Sequence, residues 1–393
     1  MSSNGTEWRY QGGRTGPLHR ADAGCAALLQ PQETASIEGL WRDLAADAVE
    51  ENPFFEPFTL LPALQHYAGP GVHLACVFED VARTKLIGLA PVSPMRGYAR
   101  LPIAYWQIWT HPHCYYAAPL LRRGSERAAA AGLLRLLSGG AQARAFLRLP
   151  RLDAAGAVAG AFRAEAVARV CYERGGYERA VLRAGETPEA YLAANIRKKK
   201  RKELKRLQAR LDDMGRVKFR KLTNEYELED WTAAFLDLED KGWKSKAGTS
   251  LKSSAKDAAW FRESLKGAFD AGRLDFLRLD CGGHPVAMLT GFGSAESYSL
   301  KICHDPAFAR FSPGVMIEIE ATRAHLGCDA FRFADSCAAE DHSMINSLWR
   351  RRRRITGLNI SGDAALSKAL LRLCRLLEAM RSALPPAEEE KAR

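Results

Sequence analysis

The stretch YSLKICHDPAFARFSPGVMIEIEATRAHLG, residues 298–327, limits what this chain can fold into more than any other. Residues 298–303 alternate bulky and small side chains as a strand does, and His304-Asp305-Pro306 interrupts the pattern. Ser312-Pro313-Gly314 then opens a helix-period stripe at Val315, Ile319, Thr322 and Leu326, which Gly327 stops. A strand, a loop and a helix in this order need a sheet to lie on, so the class is α/β. Ser312 is placed to cap the helix, Pro313 suits its first position because it lacks an N–H, and Gly314 lets a ligand approach the backbone. Residues 313–316 hold no carboxylate and Arg310 precedes them. Free amides and the helix dipole therefore favour an anion such as phosphate there, with a plain helix start as the other reading.

The same order of elements occurs twice. Residues 73–78 and 86–92 form a predicted hairpin, 104–110 and 115–121 a second pair, 125–140 a helix and 144–149 a strand. In the second half, residues 275–279 and 285–292 form a hairpin, followed by the strand at 298–303, the helix at 314–326 and a strand at 329–334. The offset is roughly 185 to 200 residues with negligible identity, a repeat of architecture. Two tandem α/β units, each a mixed sheet flanked by helices, are expected at 36–186 and 214–361. One long helix, 187–213, joins them, capped by Thr187 and started by Pro188. Residues 1–35 read as a mobile leader, and helices at 37–49 and 60–67 begin the first unit. Residues 362–393 hold an amphipathic helix, striped by Leu366, Leu370, Leu373, Leu377 and Met380, and a polar tail. That stripe suits packing on the body or on a second copy, so a homodimer is one expectation.

At 393 residues and 47% apolar, the chain can fill two cores. No apolar run approaches the roughly 18 residues of a membrane span, and the N-terminus has no signal-peptide core, which points to the cytoplasm. Nine cysteines, an odd number without a C-x-x-C pair, fit a reducing compartment. The net charge of +11 is concentrated: from Arg197 to Arg206, RKKKRKELKR, eight of ten positions are cationic. This run reads either as a solvated linking helix or as a surface for an anionic ligand or for RNA. A second cluster, residues 350–354, follows apolar Met344, Ile345, Leu348 and Trp349 and reads as the end of a helix. His111-x-His113-Cys114 lacks a second pair to complete a tetrahedral set, so no metal is expected. The Walker loop, the G-x-S-x-G elbow and the H-E-x-x-H signature are all missing from the sequence.

From about residue 51 to about residue 360 the chain resembles the CelD/BcsL-type acetyltransferases. These are tandem relatives of the GNAT acyl-CoA N-acyltransferases and of the Fem aminoacyltransferases. The resemblance rests on Tyr298-Ser-Leu-Lys301, Asp305, Phe311-Ser-Pro-Gly314, Gly242-Trp243-Lys244 and Gly248-Thr249. It implies two tandem GNAT-like units. It also implies a pyrophosphate of acyl-CoA (acetyl-CoA) held at Arg310, Phe311, Ser312, Pro313, Gly314 and Val315, with Lys301 nearby, although the second glycine of the usual pattern is missing. The implied activity is acyl transfer to an amine, the acceptor being a small molecule or a glycan precursor of envelope, exopolysaccharide or cellulose synthesis. A Fem-like transfer from tRNA held at 197–206 and a non-catalytic anionic-polymer module are the alternatives. Trp243, Lys244, Thr249 and Tyr298 are expected to hold the acceptor. Asp335, at the end of the strand 331–335, is the first candidate for the base, followed by His304 and Asp305; turn formation competes as the role of both aspartates. The second unit is the expected active one, because no Ser-Pro-Gly precedes the helix at Ser125.

Overall fold

In a computed structural model the described residues are 25–140, 143–242 and 248–383. The first half runs β1 (Ala26–Leu29), α1 (Glu38–Ala46), α2 (Pro57–Tyr67), β2 (His73–Phe78), β3 (Leu86–Tyr98), β4 (Leu101–Ile108), β5 (Leu120–Leu121), α3 (Glu126–Ser138), β6 (Phe146–Asp153), α4 (Ala157–Glu165) and β7 (Cys171–Arg183). Two helices follow, α5 (Pro188–Asn195) and α6 (Lys198–Asp212). The second half runs β8 (Val217–Lys221), α7 (Leu228–Asp240), α8 (Ala255–Asp270), β9 (Leu274–Cys281), β10 (His284–Gly293), β11 (Glu296–His304), α9 (Pro313–Leu326), β12 (Phe333–Asp335), α10 (Ser343–Asn346), β13 (Arg351–Ser361) and α11 (Ala365–Ala383). The fold is α/β, a mixed sheet flanked by helices.

All the described strands join one sheet, in the order β1-β2-β3-β4-β6-β13-β7-β12-β11-β10-β9-β8, with β5 beside β3. The two halves exchange strands at its centre. β13, the last strand of the second half, lies between β6 and β7, while β7 of the first half pairs with β12. The expected boundary at residue 214 is therefore crossed by the hydrogen-bond ladder. A buried charge cluster holds the exchange: Asp335 on β12 pairs with Arg179 of β7 at 2.7 Å and Arg353 of β13 at 2.8 Å, and Arg353 also reaches Asp153 of β6 at 2.9 Å. Helices add a second joint. Trp260 of α8 donates Nε1–H to the Thr59 carbonyl of α2 at 3.2 Å, and a Cβ at Gly267 would stand 2.9 Å from Phe58 Cβ, so glycine is what lets these helices meet.

Four expectations change. The supposed leader contains β1, paired with β2, and a 3-10 turn at Pro31–Ile37, so order begins before residue 36. Of residues 115–121 only Leu120–Leu121 is strand. The single helix 187–213 breaks at Ile196, whose backbone is extended. Its apolar seam serves two cores: Tyr191, Leu192 and Ile196 pack with Trp349, whereas Leu207 and Leu211 pack with Phe311, and one straight helix cannot reach both. Residues 351–354 lie in a central strand, not at a helix end, with Arg353 turned inward to its carboxylates and its neighbours exposed.

Candidate active site

β11 and β12 run parallel over three pairs, Glu296↔Phe333, Ser297↔Ala334 and Tyr298↔Asp335; then β12 ends while β11 continues to His304. Beyond Tyr298 no strand pairs with β11 on that side among the described residues. On its other side the register with β10 jumps from Thr290↔Lys301 to Gly291↔Ser299, which makes Leu300 the extra residue of a bulge. An unpaired strand edge presents free N–H and C=O groups, and from it the chain runs through the turn at Pro306–Phe311 to the start of α9.

That start differs from a simple capped helix. Ser312 is left-handed (φ 57°), its hydroxyl caps nothing, and its carbonyl accepts the N–H groups of both Val315 (3.0 Å) and Met316 (3.2 Å). Pro313 has no N–H, which leaves the Gly314 N–H without an acceptor among the described residues. Gly314 is buried: a Cβ there would meet His304 Nδ1 at 3.7 Å, Met344 Sδ at 3.8 Å and Ile302 Cδ1 at 4.0 Å. A buried donor without a partner is costly, and an anion would satisfy it. Lys200 stands close by, donating to Ser347 Oγ at 2.8 Å, whose own hydroxyl donates to the Met344 carbonyl at 2.6 Å. The first turn of the basic helix thus borders this mouth.

The rest of the expected phosphate set is placed otherwise. Arg310 lies over the Phe311 ring at 4.8 Å and donates to Met214 Sδ at 3.6 Å, Phe311 and Pro313 are buried, and Val315 packs against Ile319 and Trp349. Lys301 points to the opposite face of the sheet, 3.6 Å from Glu239 Oε1.

On that face a polar cluster forms where the halves meet. Glu239, 2% exposed, accepts the Leu251 N–H at 2.9 Å through its other oxygen, and Ser250 Oγ donates to Asp240 at 2.7 Å. These bonds fix the chain on either side of residues 243–247. Trp243 and Lys244 lie outside the described residues, and Thr249 is exposed. From the first half, Tyr67 OH donates to Asp257 Oδ1 at 2.6 Å, and His113 Nε2 stands 3.2 Å from the same oxygen. His113 stacks on Trp260 and His111 on Tyr67. Burial, reinforced by the Lys301 ammonium and partly offset by Asp257, pushes His113 down to about 4. Burial and His113 push His111 down to about 3. Both imidazoles are neutral at pH 7. Burial raises the Tyr115 phenol, with Cys337 and Glu239 acting in the same direction, so it keeps its proton. His111, His113, Tyr115, Asp257 and Glu239 were not picked as site residues from sequence, because they meet from segments distant in the chain. The His111-x-His113-Cys114 spacing stood out, and among the described residues no group of three or more His, Cys, Asp or Glu could hold a metal.

Three expected roles do not suit their surroundings. Asp335 is fully buried between two guanidiniums, which hold it below the usual carboxylate range against the effect of burial, and its Oδ1 also accepts the Cys337 N–H. It is a clamp with no path for an amine's proton. Asp305 accepts the Ala307 N–H at 2.9 Å and pairs with Lys241 at 3.2 Å, a turn-forming role. Tyr298 is buried in the core, donating to the Glu51 carbonyl at 2.8 Å and stacked on Tyr116.

Residues 198–342 match the family model of the acetyltransferase (GNAT) domain. This GNAT match takes in α6, the open edge of β11 and the whole of α9. No curated protein matches the chain. Among solved structures, a conserved protein of unknown function from Bacteroides thetaiotaomicron superposes with a TM-score of 0.53 at 10% identity, over 85% of this chain and 99% of that one. The C-terminal domain of a putative lysylphosphatidylglycerol synthetase from Agrobacterium fabrum does so with 0.51 at 11% identity, over 86% and 97%. A tandem GNAT protein from the clavulanic acid biosynthesis pathway gives 0.40 at 15% identity, over 86% and 99%. At these identities the first two likenesses speak to fold alone.

Proposed function

We propose that the second half transfers an acetyl group from acetyl-CoA to an amine of a glycan precursor in envelope or exopolysaccharide synthesis. The observation that carries acyl transfer is the unpaired edge of β11, bulged at Leu300 and leading to the orphaned Gly314 N–H, inside the residues that match a GNAT domain. Gly314 and Lys200 would hold the phosphates of the carrier, and the free amides beyond Tyr298 would stabilise the oxyanion of the reacting carbonyl. At about 3.3 Å per residue, His304 lies roughly 13 Å along the strand from Leu300, which assigns it to the phosphate end and not to proton transfer. Glu239 takes the proton of the amine as the amide bond forms. Tyr115 returns a proton to the thiolate as the thioester breaks. Neutral His113 and Trp260 wall the acceptor side without repelling a cationic amine.

Calorimetry with CoA tests this reading. The intact protein should bind, and Gly314→Val should weaken binding at least tenfold; no heat from the intact protein would overturn it. If charged tRNA and not acetyl-CoA supports product formation, the donor is an aminoacyl-tRNA.

A further inference from the structure

The groove between α5, α6 and α9 accounts for the basic run beyond Lys200. It encloses about 390 Å³, floored by Leu192, Ile196, Leu204, Phe219, Met316 and Ile319. Lys198, Lys202 and Lys205 stand along its rim, spaced three and four residues apart on one face of α6, and Arg201 and Arg323 line it too. Like charges at this spacing repel. Lys198, Lys202 and Lys205 have no ion-pair partner among the described residues; Glu203, beside them, is taken by Arg206 at 2.5 Å. Glu189 is the one acid on the lining. The lining takes Met316, Ile319 and Arg323 from α9 and includes neither Gly314, His304 nor Lys200.

We infer that this groove binds a single-chain anionic amphiphile, its aliphatic tail on the apolar floor and its head among the rim lysines. The floor would remove a tail from water, and the flexible lysine stems can lie along it while their ammonium groups reach the head. A polynucleotide fits less well. It needs a basic track with stacking faces, whereas Phe219 is the single aromatic residue here and the cations crown an apolar slot.

The test is titration of the full chain with hexadecyl phosphate below its micelle concentration, beside inorganic phosphate, phosphatidylglycerol vesicles and poly(U) RNA. Hexadecyl phosphate should bind at least a hundredfold more tightly than inorganic phosphate. Leu204→Trp, which fills the slot, and the exposed pair Lys202→Glu with Lys205→Glu should each weaken it at least tenfold. The surface pair keeps the test valid if the filled variant folds poorly. CoA binding through Gly314 should be the same in both, which separates failure here from failure of the transfer reading. Equal binding of inorganic phosphate, tighter binding of RNA lost with the lysines, or vesicle binding that ignores Leu204→Trp would each overturn the inference.

Discussion

In the first half β4 and β6 run parallel only at Trp106↔Leu147 and Gln107↔Arg148, much as β11 and β12 do in the second, yet the two openings end differently. The first is filled by its own chain: the Ala117 N–H donates to the Arg151 carbonyl at 2.9 Å, and Arg179 Nη1 donates to the Tyr115 carbonyl at 2.9 Å. Its helix is also served from within, since Glu126 in the first turn of α3 accepts the Gly124 N–H at 2.8 Å. At the second opening β12 stops short, and α9 has no acid in its first turn. One topology has thus become a filled opening in one half and an unpaired strand edge in the other. The segment that closes the first opening also carries His113 and Tyr115 to the second.

The comparison breaks most visibly at the clamp between the halves. Asp335→Asn leaves Arg179 and Arg353 buried without their shared acid and should cost about 3–5 kcal/mol in urea denaturation. A variant that unfolds like the parent but loses turnover would instead restore Asp335 as the base.

The helices that border the two openings differ in what they bury. α3 buries apolar residues such as Leu133 and Leu137, whereas α9 buries Glu318, whose carboxyl has no partner among the described residues and is pushed up to about 7 by burial alone. The folded state therefore holds this proton more tightly than the unfolded chain, where the group titrates near 4.5. Its favourable contribution is complete below pH 4.5 and is lost as pH rises through about 7. Glu318→Gln should raise stability by roughly 3 kcal/mol above pH 7 and change little below 4.5. Urea midpoints measured across that range check it; a gain independent of pH would mean that repacking, not titration, is the cause.

Tyr115→Phe keeps the backbone bonds of the filled opening and removes the phenol. Turnover should fall on the order of a hundredfold with CoA affinity unchanged, read from steady-state kinetics beside calorimetry. Equal turnover would leave Tyr115 a wall of the seam. The smallest effect is expected at Glu126→Ala, which clears the first mouth for a few tenths of a kcal/mol in stability. It should add no second CoA site by calorimetry, because residues 115–119 still occupy that opening.

Much of the secondary structure was legible because periodicity is local. The hairpins β2–β3 and β9–β10, the strand β11 and the helix α9 all lie where alternation and turn residues place them. β13 was missed because its arginines read as a helix end, although Arg353 alternates inward to an acid distant in sequence. Gly314 was legible as part of the first turn of a helix, but Ser312 was not as a left-handed residue, since its conformation follows from the 3-10 turn before it.

The sequence alone determined that the chain is α/β, that its elements recur, and that a helix in the second half begins without its own anion, all consequences of neighbouring side chains. Tertiary structure decided the rest. Strand exchange buried Asp335 between Arg179 and Arg353, packing into two separate cores broke the basic helix, and the meeting of the halves brought His113 and Tyr115 within the electrostatic reach of Glu239. Each outcome depends on burial and on charges brought from the other half, which no local pattern encodes.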